Sequence, residues 1–226
     1  MARPSSANVR SRVAGLLVGL AGAAAGVSAL AAPPQRVEVT YEVSRNGSVV
    51  AEVTERLEHD GKAYQIHETW RGRGMFALRG EATRTSRGAV APDGLRPRSF
   101  EDKRSGKDPR KAEFDPASPA PTAERQDRLS FVWTMAFVPP KAAVSYAVAD
   151  GKGVAHYAFQ PAGRERVKVP AGEFDALKMT KRRDDPKDKV TEIWLAADRG
   201  NVPVKILYVD KDGTRVEQQA VRVAVP

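Results

Sequence analysis

Val37, Val39, Tyr41 and Val43 alternate with Glu38, Thr40, Glu42 and Ser44. A period of two gives one apolar and one polar face only in an extended strand. Asn46-Gly47 follows, a pair suited to the positive backbone angles of a tight hairpin turn. The second strand, Ser48 to Glu58, carries Val49, Ala51, Val53 and Leu57 on one face, and Asp60-Gly61 turns the chain into a third, Ala63 to Arg71. Pro92-Asp93-Gly94, Asp150-Gly151, Ala162-Gly163 and Asp212-Gly213 punctuate the remainder in the same manner. Proline presets its own angle at such turns and glycine frees its own. Short segments between closely spaced turns exclude a helical bundle and predict an antiparallel β architecture. The expected fold is mainly β: about eleven or twelve strands in a curved antiparallel sheet, a half-barrel or open barrel, with one main α-helix.

The helix is predicted from Asp127 to Val138. Asp127 serves as its N-cap, and Leu129, Val132, Trp133, Ala136 and Phe137 recur at spacings of three and four as one apolar stripe. Pro139-Pro140 ends it. An apolar stripe beside a sheet finds its burial on that sheet's apolar face, so the helix is expected across the concave side with Leu129, Trp133, Ala136 and Phe137 inward. Elsewhere, Leu78 to Ser86 reads as a fourth strand, Arg104 to Arg110 as a polar loop, and Val154 to Gln160 and Arg164 to Val169 as separate strands. Pro116, Pro119 and Pro121 interrupt regular structure.

The first residues are of a different kind. Arg3, Arg10 and Arg12 precede an unbroken Val/Ala/Gly/Leu run from Val13 to Val27, and Ala29-Leu30-Ala31 has the small-x-small pattern of a processing site. The run falls short of the roughly 20 strongly apolar residues of a membrane span. Residues 1–31 are therefore expected to be a signal peptide, and residues 32–226 one β-rich domain delivered to the periplasm, with no stable membrane span after cleavage. The chain has no cysteine, which excludes disulfides, thiolate catalysis and cysteine-held metal centres. The formal charge of +9 suits anionic envelope surfaces. Export argues against nucleic acid as a partner. Acids and bases also interleave, as in Lys181-Arg182-Arg183-Asp184-Asp185, in the manner of a solvated mixed surface.

Chemistry-bearing motifs are absent. His59, His67 and His156 have no metal-site spacing, and there is no Gly-x-Ser-x-Gly or Ser-x-x-Lys. Gly72-Arg73-Gly74 fits a relaxed dinucleotide pattern in letters only, because a strand-like segment follows it and not a helix. The expectation is no catalytic residue, no metal and no cofactor, hence no enzyme. Glu68 shares a strand face with Tyr64, Ile66 and Trp70. A carboxylate on a buried face needs a cationic or hydrogen-bonding partner. It is either a polar group at a pocket floor or a partner to a nearby arginine. Tyr64, Glu68, Trp70, Leu129, Trp133 and Phe137 are the candidate pocket residues.

Val169-Pro170-Ala171-Gly172-Glu173-Phe174-Asp175-Ala176, then Ile193-Trp194-Leu195-Ala196, Val202-Pro203-Val204 and Asp212-Gly213, with Asp127-Arg128-Leu129-Ser130 upstream, carry a family resemblance. Together they resemble the bacterial envelope family known as domain of unknown function 3108, from about Val37 to Val225. These motifs read as structural. Pro170 and Gly172 set a tight connection, Trp194 supplies a large side chain, and Pro203 sits near a strand start, where no ladder donor is lost. The resemblance brings no catalytic residue. A fold-level similarity to periplasmic lipoprotein carriers, which close a curved sheet with helices over an apolar hollow, implies an apolar envelope ligand, a lipid or acyl chain. The other reading is a protein-interaction or envelope-maintenance module with a packed interior. A vacant apolar hollow of a few hundred Å³ separates the two.

Overall fold

The computed structural model describes residues 32–115, 124–183 and 185–225. The leader and the segment of Pro116, Pro119 and Pro121 lie outside the described residues. Strands β1 (Arg36–Arg45), β2 (Ser48–His59), β3 (Ala63–Gly72), β4 (Glu81–Ala91), β5 (Gly94–Arg104) and β6 (Lys107–Glu113) form the first half. The second half comprises β7 (Arg125–Asp127), the helix α1 (Ser130–Phe137), β8 (Val144–Ala149), β9 (Val154–Val169), β10 (Gly172–Lys181), β11 (Val190–Ala196), β12 (Val202–Val209) and β13 (Arg215–Ala224). All thirteen strands join one sheet in the order β6-β5-β4-β3-β2-β1-β13-β12-β11-β10-β9-β8-β7. It curls into a nearly closed barrel with one unsealed seam, between the terminal strands β6 and β7.

The meander follows from local chemistry. Asn46 and Gly47 both take positive φ, 48° and 83°, the turn whose twist matches that of the flanking strands. Val37, Val39, Tyr41 and Val43 are all buried, as are Ala51, Val53 and Leu57 opposite them. At the seam, Gly151 in the β8–β9 turn abuts β6. A Cβ there would stand 2.7 Å from the Lys111 nitrogen, so only glycine allows this approach. β6 itself, Lys-Asp-Pro-Arg-Lys-Ala-Glu, has the lysines and proline that keep an exposed edge from pairing with other chains.

Several sequence expectations change. Among the described residues the count is thirteen strands, not eleven or twelve. β7, three residues long and parallel to β8, is too short to show alternation. Arg104 to Arg110 is no loop: the chain reverses at Ser105-Gly106 and pairs as β6. Val154 to Val169 is one continuous strand, because one extra residue beside Gly163 is absorbed in a bulge between the pairs Leu177–Arg164 and Met179–Pro161. The expected strand from Leu78 begins only at Glu81, after a 3-10 turn over Gly74–Arg79. The helix starts at Ser130, three residues past Asp127, which belongs to β7. Asp127 still acts as a cap: its Oδ1 accepts the N–H groups of Leu129 and Ser130 at 2.8 and 2.9 Å.

The single stripe is the larger correction. Every helix residue from Ser130 to Met135, and Ala136, is buried; Phe137 is half-buried. A helix buried on all sides is an interior element, so α1 is a plug inside the barrel. It is bonded to opposite walls: to Glu55 of β2 through Trp133, to Leu95 of β5 through Thr134, and to Asn201 before β12 through the Ala136 carbonyl.

Candidate binding site

The interior has a polar layer and an open mouth. The polar layer is a cross-strand row, since residues in register on neighbouring strands point to the same face. Glu55 lies opposite Glu68, Glu68 opposite Arg84, and Arg84 opposite Asp102. Arg84 donates to Glu68 at 2.6 Å and faces Asp102 at 3.6 Å, which also takes Arg104 at 2.7 Å. Trp133 donates its indole N–H to Glu55 at 2.7 Å. Burial, and then the charge of Glu68, push the Glu55 carboxyl up to about 8. A second chain runs from Tyr64, within 2.9 Å of the Ser86 hydroxyl, to Asp127, which accepts from Ser86 at 2.6 Å. Burial pushes Asp127 up to about 6 against these hydrogen bonds. Both chains tie the helix to the wall, because a buried polar group without partners costs about 1–3 kcal/mol.

Four of the six sequence candidates are thus buried in the core, and Trp70 and Phe137 pack half-buried against it. Tyr64 belongs to the Ser86–Asp127 chain, and Glu68 pairs with an arginine, the second of the two readings for it. Trp70 lies beneath the Arg84 guanidinium, 5.4 Å from ring centre to carbon, with an indole nitrogen that has no hydrogen bond among the described residues. Leu129 and Trp133 are buried with the helix. Phe137 meets His59 edge-on at 4.9 Å, closing the end of the barrel where Pro33 is also buried.

The opposite end is open. A cavity of about 310 Å³ lies there, floored by Phe131, Tyr157, Phe159 and Tyr208, with Arg128, Lys181 and Lys189 around it. None of the six sequence candidates lines it. Phe131 packs at ring distances of 5.8 and 5.9 Å from Tyr157 and Phe159. The Lys181 ammonium sits 5.1 Å above the Tyr157 ring, and Lys189 pairs with Asp210 at 3.3 Å. Arg128 is exposed and makes no salt bridge among the described residues. The one sequence signal for this set is Tyr157 and Phe159 two apart on a strand; Phe131 lies outside the helical stripe. Among the described residues no group of three His, Asp or Glu is placed to hold a metal.

The motif residues of the second half shape the other end. Ala171, beside Pro170 at the β9–β10 turn, donates its N–H to the Ala220 carbonyl of β13 at 2.9 Å, and Gly172 takes a φ of 137° that a side chain would resist. The Pro203 carbonyl accepts the Tyr41 hydroxyl at 2.7 Å. Trp194 lies on the outward face between Lys178 and Lys205, their ammonium groups 4.9 and 5.0 Å from its ring, and it donates to Glu165.

A nearly closed β-barrel plugged by one buried helix is the class of protein these features define. The chain belongs to the family described as "Protein of unknown function (DUF3108)", whose model matches residues 36–219. Among solved structures it is similar to the β-barrel-like protein of domain of unknown function DUF1849 from Brucella abortus, with a TM-score of 0.51 at 7% identity over 86% of this chain and 99% of that one. It also matches MucB in the Pseudomonas aeruginosa MucA/MucB complex, at TM-score 0.37 and 17% identity, over 85% of this chain and 54% of that one. A Bacteroides fragilis protein with a YmcC-like fold matches at TM-score 0.40 and 10% identity, over 87% and 99%. Only the first reaches a score at which a shared fold is meaningful. No functionally curated protein matches the sequence.

Proposed function

We propose that residues 32–226 form an exported, non-enzymatic binding module that takes one small anionic amphiphile, such as a medium-length acyl carboxylate, at the open mouth of the barrel. The observation that carries this reading is the cavity of about 310 Å³, with an aromatic floor and Arg128, Lys181 and Lys189 around it. Its size is at the lower end of ordinary ligand sites, enough for one short chain and too small for a multi-chain lipid. Burial of the apolar portion supplies affinity, and the cations select a negative head. The leader pattern of residues 1–31 supports delivery to the periplasm, where such molecules occur. The expected result is saturable binding of decanoate by calorimetry, at least tenfold weaker binding of decanol, and a comparable loss in an Arg128→Glu/Lys181→Glu double variant. Absence of decanoate binding, or equal affinity for decanol, overturns the reading. The plugged interior favours a second reading, a protein-interaction module with no small ligand, which that negative result would leave standing.

A further inference from the structure

The mouth cavity differs in charge from the mixed surface around it. Among the described residues three cations, Arg128, Lys181 and Lys189, and one acid, Asp210, line it, and every other lining side chain is neutral. Asp210 is already matched, since the Lys189 ammonium stands 3.3 Å from its carboxylate. Two positive charges are left over, those of Arg128 and Lys181. Neither makes a salt bridge among the described residues.

These two cations belong together. Both border Tyr157: the Lys181 ammonium lies 5.1 Å from its ring centre, and Arg128 shares with Tyr157 the lining of this cavity and of the hollow beside it. Lys181 is half-buried, and a lysine drawn out of water is normally paired with an acid. The ring face offsets only part of that cost. Acids do stand on the adjoining turns, but they are held elsewhere. Asp188 pairs with Lys211 at 2.8 Å. Asp150, which shares the neighbouring hollow with Arg128, accepts the N–H of Lys152 at 2.9 Å, and Asp185 and Asp212 accept those of Lys187 and Thr214 at 2.8 Å. None of the four forms an ion pair with Arg128 or Lys181. Two unmatched cations above an aromatic floor focus a positive potential on one opening.

A carboxylate head has one charge and matches one of them. A phosphate monoester carries about −1.5 to −2 at neutral pH, spread over three acceptor oxygens. It takes a bidentate pair of bonds from a guanidinium and a further bond from an ammonium at the same time. We propose that the mouth cavity selects an amphiphile whose head is a phosphate monoester, held jointly by Arg128 and Lys181, with its chain on the aromatic floor. This rests on the reading of the cavity as a ligand site and adds the chemistry of the head.

The test is calorimetry on the complete chain at pH 7.5 with monomeric decanoate, decyl phosphate, decyl methyl phosphate and inorganic phosphate. Decyl methyl phosphate keeps the chain and the phosphorus centre but has a single charge, so comparing it with decyl phosphate reads the second charge alone. Decyl phosphate is expected to bind at least tenfold more tightly than decyl methyl phosphate. Inorganic phosphate, which lacks the chain, is expected to bind at least a hundredfold more weakly than decyl phosphate. Lys181→Gln should narrow the tenfold preference to within about twofold, and Lys181→Arg should restore it. Arg182→Gln, an equal loss of charge at the next residue, which is exposed and outside the cavity, should leave the preference as it is. Every variant shares Arg3, Arg10 and Arg12, so a preference that vanishes with Lys181 arises at the mouth. Equal binding of the two decyl phosphates beside intact decanoate binding overturns the head-group proposal alone. So does a preference that survives Lys181→Gln, which would place the second charge elsewhere in the chain. Inorganic phosphate binding as tightly as decyl phosphate also overturns it, because the site would then take the free anion. Absence of binding by all three chain-bearing probes removes the cavity as a ligand site, and the head group with it.

Discussion

Replacing Glu55 by glutamine should remove a proton-linked loss of stability that grows with pH. In the folded chain Glu55 is buried and its carboxyl is raised from 4.5 to about 8, by burial first and by the charge of Glu68 second. The unfolded chain releases the same proton near 4.5. The folded state therefore holds a proton that the unfolded state has given up, and stability declines as pH rises between the two values. It is fully present below about pH 4.5 and fully lost above about pH 8. At about 1.4 kcal/mol per pH unit, the loss reaches roughly 3 kcal/mol by pH 7. Against a typical total of about 5–15 kcal/mol, that is a large fraction. Glutamine has no proton to lose, is nearly the same size, and keeps an oxygen to accept the Trp133 indole N–H, which donates at 2.7 Å in the native chain. Urea unfolding followed by circular dichroism, on wild type and Glu55→Gln at half-unit steps from pH 4.5 to 8, isolates the group as the difference between two curves. That difference should move in favour of Glu55→Gln by about 3 kcal/mol between pH 4.5 and 7. A difference that stays flat, or that moves against glutamine, would show that Glu55 is ionised inside the barrel and is stabilised by Arg84, and would refute the reasoning.

Three further outcomes are expected. Because α1 is buried on all sides, amides of Val132 to Phe137 should exchange with solvent no faster than those of Val202 to Val209; much faster exchange in the helix would make it a lid instead of a plug. Trp194→Ala should cost about 3 kcal/mol in chemical unfolding, at the low end for a tryptophan truncation because its ring packs against lysine stems on the outer face; a cost below about 1 kcal/mol would remove it as an anchor. N-terminal sequencing of periplasmic material should begin Ala32-Pro33-Pro34-Gln35, and an intact chain in the membrane fraction would contradict processing after Ala31.

Period-two alternation determined the β class, most strand positions and the inward set Val37, Val39, Tyr41 and Val43, because side-chain direction in a strand is fixed by parity alone. The Asn-Gly and Asp-Gly pairs determined the hairpins, because positive φ is a local requirement. The family was legible in the second half, and Trp133 was legible as an inward helix residue. What the sequence did not determine depends on distance in space. The helix shows a stripe because Ser130 and Thr134 are polar by type, yet both are buried, satisfied by Asp127 and Gln126 just before the helix and by Leu95 of β5. Asp127 is a local cap, but only the closure of the sheet brings Leu95 to Thr134 and encloses all sides of the helix. The row Glu55-Glu68-Arg84-Asp102 likewise exists only through strand register, which aligns four residues from four strands. The mouth cavity draws Phe131 from the helix, Phe159 from β9 and Tyr208 from β12. No local signal marks such a set, because what joins these residues is the curvature that brings one end of the barrel together.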